Sequence, residues 1–141
     1  MRVVPLRSVE AQKPARSRRN VLERIGAAAT SERRVEAVRC AVEPVVAAIF
    51  SVDVGDFRSN RRGSPQVAFA RQVAMYLAHV VCRLSLSEIG ALFARDRSTV
   101  AHACGLVEDL RDDPIFDAKL DHLERAVLAL IAALSLPRSC R

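Results

Sequence analysis

The sequence has no tryptophan, a single tyrosine and only five glycines in 141 residues. Its apolar half is mostly Ala, Val and Leu, a mixture that favours helix over sheet. Four cysteines, Cys40, Cys82, Cys104 and Cys140, form no C-x-x-C pair and keep no zinc-ligand rhythm. They are read as reduced, with Cys82 and Cys104 at buried helical positions. No apolar run approaches the roughly 18 residues of a membrane span, and the N-terminus lacks the apolar core of a secretory signal. A cytoplasmic protein without a membrane partner is the expectation. None of Gly26, Gly55, Gly63, Gly90 and Gly105 is followed by Lys, so there is no phosphate loop of the kind that holds ATP. No nucleophile, base and orienting group fall into a set, which argues against an enzyme, a cofactor or a small-molecule substrate. The acids near Asp112 read as a solvated helix end and not as a metal site.

What is abundant is arginine. The formal net charge is +6, which raises nucleic acid or an anionic surface as the partner. Met1 to Arg34 carries nine Lys/Arg against three Glu, and Arg58 to Arg97 carries seven Arg against two acids. From Glu108 to Glu124 the balance inverts, with seven acids against two basic residues. One end of the fold is therefore expected to be basic and the other acidic, as suits a body that docks on phosphate in one orientation.

The length allows one core. Residues 1–30 form a basic arm with little to bury, expected to be disordered, and residues 31–136 form the domain. Apolar residues at Val35, Val38, Val42, Val45, Val46 and Ile49 repeat at helical spacing, with a kink or a junction of two helices expected where Pro44 removes a backbone hydrogen bond. Val52, Val54 and Phe57 suggest a short helical plug. Ser64-Pro65 then caps a long helix with Phe69, Val73, Tyr76, Leu77, Val80 and Leu84 inside and Arg71, Met75, His79 and Arg83 outside. Ser85-Leu-Ser-Glu88 fits a capping box that opens a brief helix. Asp96 is positioned to cap the next, which buries Val100, Ala103, Cys104, Val107 and Leu110 and stops at Asp112-Asp113-Pro114. A last helix, about 117–134, places Phe116, Leu120, Leu123, Val127, Ile131 and Leu134 on one side.

Within this all-α pattern, Gly90, Ala94 and Val100 stand where a helix-turn-helix needs a small residue, a left-handed turn and a branched apolar side chain. Ile89 and Phe93 point inward from its first helix. The start of the second helix presents Arg97, Ser98, Thr99 and His102, side chains that reach base edges and phosphates in a major groove. An ordinary helical hairpin remains the alternative on spacing alone.

The runs Ala70-Arg-Gln-Val-Ala-Met-Tyr-Leu-Ala78, Leu84-Ser-Leu-Ser-Glu-Ile-Gly90 and Arg95-Asp-Arg-Ser-Thr-Val-Ala-His-Ala-Cys104 together resemble the C-terminal DNA-binding domain (domain IV) of the bacterial replication initiator DnaA. The resemblance spans about residues 35–127 and implies a helical bundle with a helix-turn-helix, Trp-repressor-like, on double-stranded DNA. By motif it implies base reading by Asp96, Arg97, Ser98, Thr99 and His102, minor-groove insertion by Arg62, and a phosphate contact by Arg71. Arg61, Ser87 and Arg95 complete the set of expected DNA contacts. This chain departs from the family in Phe93-Ala-Arg-Asp-Arg97, which is one glycine shorter and has Arg in place of His. The implied role is a stand-alone, nucleoid-associated regulator of transcription or of replication initiation without an ATPase motor. The competing reading is a protein-interaction module that kept the fold.

Overall fold

The computed structural model of the chain describes residues 31–59 and 63–135, and every regular element among them is helical. The expected arm at residues 1–30, the pair Arg61 and Arg62, and the end of the domain at 136 lie outside the described residues. Among the described residues no helix is long and apolar enough to cross a membrane.

The chain enters through α1 (Ser31–Ala37) and passes through a single wide turn (Val38–Val42) into α2 (Glu43–Phe50). Of the two outcomes expected at Pro44, a kink or two helices meeting near Glu43, the second is what forms, with α2 starting at Glu43. Ala37, Val42 and Glu43 all keep right-handed helical dihedrals, and the Glu43 N–H reaches back five residues to the Val38 carbonyl. The widened turn lets Pro44, which has no N–H to give, sit in the first turn of α2, so the chain stays helical throughout. Ser51 ends α2 in a left-handed conformation, and the Val52 N–H closes onto the Ala47 carbonyl at 3.0 Å. A 3-10 turn (Val54–Phe57) follows, capped by the Asp53 carboxylate on the Gly55 N–H.

Ser64 accepts from the Val67 N–H and Pro65 takes the first helical position, so α3 (Pro65–Val80) begins where the sequence places it. Ala70, Arg71 and the run Val73 to Ala78 are all buried, which makes α3 the central helix, packed against α2 and the helix-turn-helix. The expected outer face of α3 is therefore half wrong. His79 and Arg83 are exposed, but Arg71 and Met75 are buried, because the 3-10 turn and the later helices cover that side.

Next come α4 (Leu86–Phe93), α5 (Arg97–Leu110) and α6 (Pro114–Ser135). The last helix starts three residues before the expected 117: the Asp113 carboxylate accepts from the Ile115 N–H at 3.2 Å, and Pro114 opens the helix instead of stopping the previous one. Leu120, Leu123, Val127 and Ile131 are buried as expected. Leu110, Leu134 and Ile49 are not, with 43%, 56% and 50% of their surface exposed, since each stands near a helix end beyond the reach of the opposing helix. Cys82 is buried and its thiol is pushed up to about 12 by burial, whereas Cys104 is only half-buried.

The acids near Asp112, namely Asp109, Asp112 and Asp113, are exposed at the helix end, whereas those of α6 are drawn onto one arginine. Arg111 lies at 2.7 Å from Asp117, 2.9 Å from Asp121 and 2.9 Å from Glu124, and it donates to the Tyr76 hydroxyl. Tyr76 in turn donates to Glu108 at 2.6 Å. One guanidinium thus joins α3, α5 and α6. Burial opposes its charge, yet the bonds to Tyr76 and Asp117 prevail and raise its pKa.

A candidate nucleic-acid interface

The helix-turn-helix is built from local chemistry. Ser85 and Glu88 form the reciprocal capping box, each accepting from the other's backbone N–H at 3.1 Å. Four residues after Gly90 the chain turns at Ala94, whose φ of 53° is left-handed. The Ala94 and Arg95 N–H groups both close onto the Gly90 carbonyl. A side chain at position 90 has no room, since an added Cβ would stand 2.6 Å from the Arg95 carbonyl oxygen. Val100 is buried against Ile89 and Phe93, so the three positions that define the motif take the expected roles despite the shorter turn.

Asp96 stands at the N-cap of α5 with extended dihedrals, but its carboxylate makes no capping bond, contrary to the expectation. Its side chain is exposed, as are those of Arg97, Ser98, Thr99 and His102. The buried line of α5 is Val100, Ala103 and Val107, which turns Ser98, Ala101, His102, Gly105 and Asp109 to the opposite side. Ala101 and Gly105 were not singled out in the sequence. Both belong to the outward row at helical spacing from Ser98, and a Cβ at Gly105 would meet nothing within 4 Å, so the surface is open there. Ser87 is exposed in the first turn of α4. The five base-reading candidates and Ser87 thus all lie on the surface of one packed motif.

Arg71 and Arg95 are placed differently. Arg71 is 6% exposed, and its guanidinium donates to the Phe57 carbonyl at 3.1 Å and the Asp56 carbonyl at 2.7 Å. Burial lowers its pKa, and the nearby Arg95 charge acts in the same direction. Its Nε and Nη2 are turned toward the 3-10 turn. Arg95, half-buried, donates to the Ser59 carbonyl at 2.7 Å and to the Ala94 carbonyl at 3.0 Å. The contacts that join them to the segment before α3 had no signal in the local sequence, because those acceptors lie 14, 15 and 36 positions away. Among the described residues no group of three or more His, Cys, Asp or Glu side chains is arranged to hold a metal ion.

Residues 41–107 match the family model of the bacterial DnaA protein helix-turn-helix. A solved structure described as a DNA replication initiation factor superposes with a TM-score of 0.59 at 29% identity over 88% of this chain. The chain spans 35% of the length of that structure. The left-handed turn at Ala94 between buried Gly90 and Val100, the capping box and these two matches lead to one conclusion: the chain is a DnaA C-terminal-domain-like protein, all-helical, carrying a DNA-binding domain of the DnaA helix-turn-helix type.

Proposed function

We propose that this chain binds duplex DNA sequence-specifically through α4 and α5, acting as a regulator of transcription or of replication initiation and needing no nucleotide to do so. The observation that supports this best is the exposed row Arg97, Ser98, Thr99 and His102 at the head of a helix whose opposite side is locked into the core. A major groove admits such a helix, and these side chains donate to guanine, adenine and phosphate. Arg97 reads guanine. Asp96, Ser98, Thr99 and His102 contact neighbouring bases, Ser87 contacts a phosphate at the start of α4, and Arg61 and Arg62 serve the adjacent minor groove. Arg71, held by two backbone carbonyls, supports the interface from within and does not reach phosphate.

The test is a titration with labelled duplexes selected from a random pool, at about 50 and about 200 mM salt, with and without ATP. A steep salt dependence, a preferred sequence and indifference to ATP are expected. Arg97→Ala should lose roughly 1–3 kcal/mol on the preferred duplex and relax preference at one guanine. Arg62→Ala should reduce discrimination at an A·T-rich flank. Equal losses of both variants on every duplex would show that neither reads bases.

A further inference from the structure

We infer that Arg95 is a positioning residue that locks the segment ending at Ser59, which in sequence precedes Arg61 and Arg62, to the turn of the helix-turn-helix. This rests on the DNA-binding reading above. Two nitrogens of the Arg95 guanidinium donate to three backbone carbonyls: Nη1 to Phe93 at 3.3 Å and Ala94 at 3.0 Å, and Nη2 to Ser59 at 2.7 Å. The first two belong to the end of α4 and the left-handed turn; the third lies two residues before Arg61. Only a planar group with several donors in a fixed fork spans both sides at once. The same junction holds a ring contact, Phe57 on Phe93 with centroids 6.4 Å apart. Arg71 pins the preceding half of the segment through the Asp56 and Phe57 carbonyls. The segment is therefore fastened at three consecutive points, and Arg95 makes the last of them.

Its partners separate this role from that of a phosphate contact. Neither Arg71 nor Arg95 forms a carboxylate bridge among the described residues; neutral backbone carbonyls hold both in place. A phosphate that drew Nη1 and Nη2 away from these carbonyls would release the segment. A brace instead keeps Ser59 at a fixed distance from the turn that leads into α5.

The experiment compares the wild type with Arg95→Ala and Arg95→Lys. In free protein, hydrogen exchange at the Asp56 and Ser59 amides, which donate to the Asp53 and Asp56 carbonyls, should accelerate several-fold in Arg95→Ala while α3 keeps its protection. Arg95→Lys, with one donor arm, should fall between. In duplex binding, Arg95→Ala should weaken affinity about tenfold and leave the log-log salt slope unchanged, whereas a lost phosphate contact lowers it by about 0.9. In an Arg61→Ala, Arg62→Ala background the same change should have no further effect. Unchanged exchange overturns the brace. A slope lowered by one contact, or an equal loss in both backgrounds, overturns the positioning role. A wild type that binds no duplex overturns the DNA-binding reading instead, with the exchange result still deciding whether Arg95 braces the segment.

Discussion

Adding one methyl group at position 90 places it 2.6 Å from the Arg95 carbonyl oxygen, a backbone atom fixed by the turn. Gly90→Ala is therefore expected to destabilise the domain by about 1–3 kcal/mol, the usual cost of overpacking, in a denaturant melt. An unchanged midpoint would mean that the two helices separate without penalty. Ala94 gives the opposite expectation. At φ 53° a non-glycine residue carries on the order of 1 kcal/mol of strain, so Ala94→Gly should be neutral or stabilising once the added freedom of the unfolded chain is counted. Clear destabilisation would count against the strain argument. Both positions are legible in sequence because the demand is local: a helix, a left-handed residue and a second helix within eleven positions. Arg71 was misread for the opposite reason. Helical spacing put it beside His79 and Arg83, and only the carbonyls of Asp56 and Phe57, delivered by a turn outside that helix, draw it inside.

Between elements, the polar groups that hold the helices together were the least visible from sequence, since a charged residue reads as surface until its partner is known. Glu43 is buried in α2, and its carboxylate receives the Arg58 guanidinium at 2.9 and 2.7 Å. Burial raises its pKa more than Arg58 lowers it. A carboxyl raised on folding contributes stability that is fully present below its unfolded value and lost as pH rises through the folded one. Stability curves of the wild type and Glu43→Gln should therefore diverge from about pH 4.5 upward, to the advantage of Gln. A gap that stays flat, or favours Glu at neutral pH, would show that Arg58 outweighs burial. At the other junction Arg111 neutralises Glu124, which is 1% exposed, together with Asp117 and Asp121. Arg111→Met should cost about 3–5 kcal/mol because it strands a buried carboxylate. Combining it with Glu124→Gln should recover part of that loss, and strict additivity of the two would argue against the pairing.

Across the whole molecule the charge pattern seen in the sequence becomes a direction along α5. Its head carries Arg97 and the positive end of the helix dipole, and its tail carries Glu108 and Asp109, followed by Asp112 and Asp113. Phosphates are attracted to one end of this helix and repelled from the other, so under the proposed function the N-terminal half is the part that enters a groove. Asp109 shares the outward side with Ser98 and His102, about two turns beyond His102, near enough to duplex phosphates to matter and too far along to meet a base edge in that orientation. Removing its charge should therefore act through the field alone. Asp109→Asn is expected to tighten binding about two-fold at about 50 mM salt, with the gain shrinking by about 200 mM as the Debye length falls below the separation. The gain should be the same for every duplex in a panel of single-base variants, unlike Arg97→Ala, which should reorder that panel. If Asp109→Asn instead changed the order of preferred sequences, the carboxylate would lie against a base, and α5 would enter the groove along its length rather than by its head.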